Sequence, residues 1–201
     1  MLVRRADVER RRPAREAHQQ DALSIGGQVA LAMATPSDSL AACVGQLQHD
    51  RLLCLPCHAT WSMHHMLTFL LEQIGPARTW LTSWTITEGP VRSIVKLQER
   101  GLITDLACVF DARVGKYNAN ALQLAQRSLT KVGLTSIHAK CLVMMNDAWA
   151  VTVLSTANIT RNKRIELYWI ATHRPVAEHH AAWIDSVLAN CEHVTDEQGG
   201  T

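Results

Sequence analysis

The chain has 201 residues, of which 47% are hydrophobic and 19% are charged. This length and composition fit one globular domain with a sizeable core, and they exclude an extensively disordered chain. The formal net charge of +2 is too small to indicate a polyanionic partner by itself, so the placement of the basic residues is more informative than their total.

The beginning of the chain is polar and basic. Residues 1–20 contain six arginines against three acids, and Pro13 interrupts them, so we expect a flexible arm. The apolar run at 22–34 is too short to span a bilayer as a helix. We therefore predict a basic arm and linker over 1–38, a folded domain over 39–195 and a flexible end over 196–201.

Within the folded domain, apolar runs alternate with stretches of helical periodicity. The runs predict strands at 51–55, 79–85 and 103–110. The periodic stretches predict helices at 60–73, near 91–97, at 118–130 and at 175–190. This alternation is typical of an α/β fold in which helices flank both faces of a mixed sheet. In such sheets functional sites lie at strand ends.

A second group of predicted strands includes polar residues at its ends. His138 and Lys140 precede the apolar run 141–145, and on an extended chain they project from the same face about 7 Å apart. One phosphate group could contact both. The run itself is apolar on both faces, which indicates a strand that is buried from both sides.

The chain is then expected to return beside this strand. Residues 146–148 (Asn-Asp-Ala) are typical of a hairpin turn, and the next strand, 149–154, brings Thr156 and Asn158 back to the level of His138. A third strand at 165–171 begins with Glu166, which is placed to accept an imidazole N–H. This arrangement supplies a nucleophile and a group that orients it.

These residues resemble the signature of the phospholipase D superfamily, which is H-x-K, then an acid, then G-S-x-N. His138 and Lys140 match the first part, and Glu166 matches a downstream acid. The segment Ser155-Thr156-Ala157-Asn158 matches the last part with Ser for Gly and Thr for Ser. The resemblance extends over roughly the last three quarters of the chain.

The resemblance implies a phospholipase D-like α-β-α sandwich that hydrolyses phosphodiesters without a metal or cofactor. Family members pair two half-sites, in which one His attacks phosphorus and the other protonates the leaving oxygen, while Lys and Asn hold the phosphate. This chain has a single H-x-K, so the resemblance implies a homodimer whose copies meet at the site. His138, Lys140, Asn158 and Glu166 are then the expected catalytic residues.

The sequence departs from the signature at two places. The family's acid would fall at Met145, and Asp147 lies two residues later in the predicted turn, so the role of Asp147 stays open. The replacement of Gly by Ser155 is sterically mild, and Thr156 keeps a hydroxyl. We therefore expect Ser155 and Thr156 to contribute to substrate binding.

Nucleic acid, with DNA first, is the expected substrate and partner. The basic turn formed by Arg161, Lys163 and Arg164 adjoins the predicted phosphate site, and the arginine-rich arm could also contact a polyanion. A phospholipid substrate and a catalytically inactive DNA-binding protein are the alternatives. No amphipathic surface helix is evident, so no stable membrane association is expected.

The cysteines support a different hypothesis. Cys54 and Cys57 form a C-x-P-C motif at a predicted junction of strand and helix, where a thiol's pKa falls, so a thiol redox protein is a remote alternative. With His58 the motif also fits haem attachment, and with His64 or His65 a zinc site. The remaining cysteines lie in apolar segments, which favours a reducing, cytoplasmic compartment.

Overall fold

The computed structural model describes residues 27–34, 39–58, 61–160 and 164–193. Strands make up the centre of this part of the chain. They are β1 (Gln28–Leu31), β2 (Arg51–His58), β3 (Ala77–Ser83), β4 (Ile103–Asp111), β5 (Lys131–Thr135), β6 (Cys141–Met145), β7 (Ala150–Ser155), β8 (Ile165–Ala171) and β9 (Glu192–His193). They form one sheet in the order β1-β2-β8-β7-β6-β3-β4-β5-β9.

The sheet is mixed. Strands β3, β4 and β5 are parallel to one another, and β1 is parallel to β2. The central run β2-β8-β7-β6-β3 is antiparallel at every step. The chain therefore places the starts of β6 and β8 at the same edge of the sheet as the ends of β3, β4 and β7.

Helices cover both faces of this sheet. They are α1 (Leu40–Val44), α2 (Met63–Ile74), α3 (Glu88–Glu99), α4 (Val114–Tyr117), α5 (Ala119–Ser128) and α6 (Arg174–Ala189). One hydrophobic layer lies between the sheet and α2, α3 and α5, and the other lies under α6, which contributes Ala177, Ala181, Ile184 and Leu188. The predicted α/β sandwich is confirmed.

Local sequence explains the helix boundaries next to the candidate site. Helix α2 begins after Ser62, whose side chain and that of His65 form a reciprocal N-terminal cap. It buries six apolar residues at helical spacing, from Met63 to Ile74. It ends at Gly75, whose φ of +78° suits glycine.

Three strands were not predicted, and one of them is the two-residue β9 at the end of the described chain. Strand β1 pairs with β2, so the sheet already begins at Gln28 and the predicted domain start after residue 38 is too late. Strand β5 contains Gly133, where a Cβ atom would lie 2.6 Å from Leu188 and 2.8 Å from Cys191. Glycine is needed there for close packing against the end of α6.

The described helices include none that is long and apolar enough to cross a membrane.

Candidate phosphodiester site at the sheet edge

The predicted motif residues meet where β6 starts, β7 ends and β8 starts. Backbone hydrogen bonds fix this meeting: Ser155 N–H donates to the Lys140 carbonyl at 3.1 Å, and Thr156 N–H donates to the Leu167 carbonyl at 3.1 Å. The hairpin between β6 and β7 therefore returns the chain to the level of His138, as predicted from the turn residues.

His138 and Lys140 lie together just before β6. The Lys140 ammonium donates to the His138 carbonyl at 2.7 Å and lies 3.1 and 3.2 Å from the two nitrogens of the imidazole. His138 is exposed, whereas Lys140 is only 8% exposed. A cation held beside an accessible imidazole, partly out of water, is suited to attract an anion to that ring.

Burial and Glu166 act in opposite directions on the Lys140 ammonium. Burial lowers the pKa of Lys140 below its usual value, and the negative charge of Glu166 opposes this shift. The Glu166 side chain is itself buried at the start of β8. The two groups therefore share one partly desolvated region beside His138.

The two hydroxyls of the motif are engaged within the protein. Thr156 Oγ1 donates to the Glu166 carboxylate and accepts the N–H of Leu167. Ser155 Oγ donates to the Leu167 carbonyl at 2.8 Å and accepts the N–H of Ala157. These hydroxyls hold the strand end and Glu166 in place. The role expected for Glu166, accepting an imidazole N–H, stays a prediction.

Asn158 is oriented by the end of β3. Its Oδ1 accepts the backbone N–H of Trp84 at 3.2 Å and also contacts the hydroxyl of Ser83 at 3.3 Å. Because the Trp84 N–H can only donate, the amide oxygen of Asn158 must face it. The NH₂ group of Asn158 consequently points away from β3 and remains the donor that this side chain can offer a phosphate.

Residues outside the motif also reach this edge. The indole of Trp84 lies 5.7 Å from the imidazole of His138, between ring centroids. Asp111, at the end of β4, accepts the N–H of Ile137, the residue before His138. Neither Trp84 nor Asp111 was among the predicted site residues. Their positions could have indicated a role, because Trp84 follows β3 and Asp111 ends β4. Sites in such sheets lie at the ends of parallel strands.

The far end of β6 holds Asp147, whose role the sequence left open, and Trp149. Asp147 lies in the hairpin turn, where its carbonyl accepts a hydrogen bond from Arg174. A five-residue strand separates this turn from the site, so Asp147 lies away from His138 and its role stays open. Trp149 stacks on His49 at that end, 3.9 Å between ring centroids, and does not line the site.

The basic turn is described only in part. Arg164 is exposed just before β8, and Arg161 and Lys163 lie outside the described residues. The predicted contribution of these three residues to substrate binding stays a prediction.

The cysteine motif is not at a helix start. Cys54 and Cys57 both belong to β2, which continues to His58. Residues three apart on a strand point to opposite faces, so the two thiols are not adjacent. This contradicts the predicted dithiol, because its low thiol pKa required a helix N-terminus. His64 and His65 lie at the start of α2, where they bond to Ser62, and the described residues contain no metal-binding group of three or more His, Cys, Asp or Glu.

Comparison with solved structures shows the fold. NucT from Helicobacter pylori matches with a TM-score of 0.52 and 17% identity over 64% of this chain and 91% of that one. Nuc from Salmonella typhimurium, described as a phospholipase D family member, matches with a TM-score of 0.48 and 15% identity over 63% of this chain and 89% of that one. A polyphosphate kinase from Porphyromonas gingivalis matches with a TM-score of 0.48 and 13% identity, over 69% of this chain and 26% of that one. No protein-family model matches the sequence, and no curated protein matches it.

Proposed function

Because this chain has the fold of the phospholipase D superfamily, we propose that it is a metal-independent phosphodiesterase acting on nucleic acid at the edge of the sheet. The observation that supports this most strongly is the pairing of His138 with Lys140 at hydrogen-bond distance. Asn158 is oriented by the backbone of Trp84, whose ring lies next to that of His138. The site thus combines a nucleophile, a cation and a neutral donor, which phosphoryl transfer requires.

In the proposed first step, a ring nitrogen of His138 attacks phosphorus. A nitrogen–phosphorus bond forms and the bond from phosphorus to the leaving oxygen breaks. The partner subunit's His138, in its protonated form, gives its proton to that oxygen. The two imidazoles thus act as nucleophile and general acid.

In the second step, water attacks the phosphohistidine. The partner subunit's His138, now neutral, takes a proton from this water, and the nitrogen–phosphorus bond breaks with its electron pair returning to His138. The products are a phosphomonoester and a free hydroxyl group.

Lys140 and Asn158 are proposed to stabilise the pentacovalent phosphorus. The ammonium of Lys140 and the NH₂ of Asn158 donate to the equatorial oxygens, where charge develops. Glu166, held by Thr156, keeps a negative charge near Lys140 and so favours its protonated form. Each of the four proposed catalytic residues, His138, Lys140, Asn158 and Glu166, therefore has its own role around one phosphate.

The homodimer is part of the proposal. Each chain supplies one H-x-K imidazole, whereas the mechanism needs two with different protonation states. His138 is exposed at the sheet edge, so a second copy can approach it. A cytoplasmic location is also proposed, because the described residues contain no disulfide among their cysteines, as expected in a reducing compartment.

The test of this function is cleavage of DNA in the presence of EDTA. We expect linear single- and double-stranded DNA to be cut, because no step uses a metal. Short-chain phospholipid in micelles serves as the second substrate. Cleavage of the lipid alone would replace nucleic acid by phospholipid as the substrate, and DNA retardation without cutting would indicate a binding protein.

A titration of Lys140 tests the electrostatics of the site. The pKa of its ammonium is expected to lie below the value of about 10.4 that is typical of lysine, and Glu166→Gln should lower it further by removing the opposing negative charge. The measurement is the ¹³Cε signal of Lys140 against pH, identified by its loss in Lys140→Arg. A Lys140 pKa that is not lowered, and that does not change in Glu166→Gln, would contradict the geometry described.

A further inference from the structure

A stripe of cationic and aromatic side chains continues from His138 along the ends of β3 and β4. We call the residues Trp84, Arg113, Lys116 and Tyr117 the flanking stripe. Two contacts between a cation and a ring lie within it: Arg113 lies over Trp84 at 5.1 Å, and Lys116 lies over Tyr117 at 5.4 Å. Alternating cations and aromatic rings are typical of surfaces that bind single-stranded nucleic acid.

Arg113 is held in a fixed orientation. Its Nε donates to Asp111 at 2.7 Å and its Nη2 donates to the other carboxylate oxygen at 3.3 Å. Asp111 also accepts the backbone N–H of Ile137, which ties the guanidinium to the segment that contains His138. The side chain of Arg113 is still 58% exposed.

This leaves Arg113 able to bind an anion. A guanidinium has five N–H donors, and the carboxylate of Asp111 uses those on one edge. The donors on the opposite edge face solution in a geometry that matches two phosphate oxygens. Because its orientation is already set by Asp111, little further ordering is needed on binding.

Trp84 sets the distance between Arg113 and the site. Its ring contacts the imidazole of His138 on one side, at 5.7 Å, and the guanidinium of Arg113 on another, at 5.1 Å. Arg113 and His138 are thus no farther apart than these two contacts combined. Consecutive phosphates of an extended strand can bridge such a span.

Tyr117 lies beyond Arg113, at the end of α4. Its side chain is 68% exposed and borders an open polar groove with Thr87, Asn118 and Asn120. Asn118 donates to Thr85 at 3.2 Å, which joins this groove to the loop after Trp84. The acid in the groove, Glu88, pairs with Arg92. An exposed ring beside a lysine is therefore available for a base to stack on.

We propose that the flanking stripe binds the strand next to the scissile bond, with Arg113 holding the adjacent phosphate and Tyr117 stacking on a base. This rests on the proposed function, because it takes the phosphate at His138 as its origin. The ligand class is single-stranded polynucleotide. A polyanion without bases could bind to Arg113, but it has no ring that could stack on Tyr117.

The experiment measures binding of two labelled probes in a His138→Ala background, which prevents cleavage. One probe is an oligothymidylate and the other is an abasic oligomer of the same length and charge. Tyr117→Leu is expected to weaken binding of the oligothymidylate by about 5- to 160-fold, the range for loss of one stacked base, and so to remove the preference for the probe that has bases. Tyr117→Phe keeps the ring and should keep the preference.

Arg113→Gln is expected to weaken both probes and to reduce the slope of log affinity against log salt by about 0.7, the value for one phosphate of a single strand. Arg127→Gln, an exposed arginine on α5, is the matched control and should change neither quantity. Thermal unfolding reports whether Arg113→Gln still folds. If Arg113→Gln does not fold, the Tyr117 variants still decide the test, because Tyr117 is exposed and its replacement leaves the fold intact.

Two results would contradict the proposal that the flanking stripe binds the strand. One is equal affinity of the His138→Ala protein for the two probes. The other is unchanged binding when Tyr117→Leu or Arg113→Gln is added to that protein. Either result is distinguishable from failure of the proposed function. A protein that cuts DNA in EDTA, with stripe variants that bind normally, disproves only the stripe.

Discussion

Replacing His138 by alanine is expected to lower the rate of DNA cleavage in EDTA by roughly 10⁴-fold or more, the scale seen when a catalytic nucleophile is removed. In a symmetric dimer this one substitution removes both the nucleophile and the general acid. Affinity for DNA should fall far less, because Lys140 and Asn158 remain. Initial rates and binding titrations on the same protein separate the two effects.

The matched control is His49→Ala. His49 stacks on Trp149, which follows the hairpin turn at the opposite end of β6 and β7, so its loss should leave cleavage at the level of the unaltered protein. Cleavage that persists in His138→Ala would mean that another group attacks phosphorus, and the proposed mechanism would be wrong.

A dimer with only one His138 is expected to be inactive. If a heterodimer of one unaltered and one His138→Ala subunit is isolated through two different affinity tags, the remaining imidazole can attack or protonate but cannot do both. General acid–base catalysis contributes typically 10²–10⁴-fold, so the rate should drop by at least about 10²-fold. Steady-state cleavage of the purified heterodimer measures this drop.

Independent subunits would give a different result. If each chain held a complete site, the heterodimer would retain about half of the rate of the unaltered dimer, since one of its two sites would be intact. A heterodimer with one His49→Ala subunit controls for the tags and should keep the full rate.

Much of the fold followed from local sequence. The segments Cys141–Met145 and Ile165–Ala171 were predicted as strands with the bounds observed for β6 and β8. Strand β1 could not be predicted in this way, because three of its four residues are exposed and its place depends on pairing with distant Arg51–Cys54. Glycine is depleted in strands, so Gly133 gave no indication of β5, where it is needed for close packing.

The site could be predicted where its residues are close in sequence. His138 and Lys140 precede the first strand of one hairpin and Asn158 follows the second, so the turn between the strands brings them to the same edge. Trp84 follows β3, and Asp111 and Arg113 lie at and just after the end of β4. Only the order β7-β6-β3-β4 brings these segments to the edge that holds His138. The prediction that Cys54 and Cys57 lie at a junction of strand and helix was wrong, because β2 extends to His58 through its pairing with β8.

The most direct measurement is the identification of the covalent intermediate. We would quench the protein into alkali during cleavage of ³²P-labelled DNA, since phosphohistidine survives base, and locate the label by peptide mass spectrometry. The account predicts a nucleotide attached through phosphorus to the peptide that contains His138, and no such adduct in His138→Ala. Continued turnover with the label on another residue, or with no labelled peptide, would contradict it.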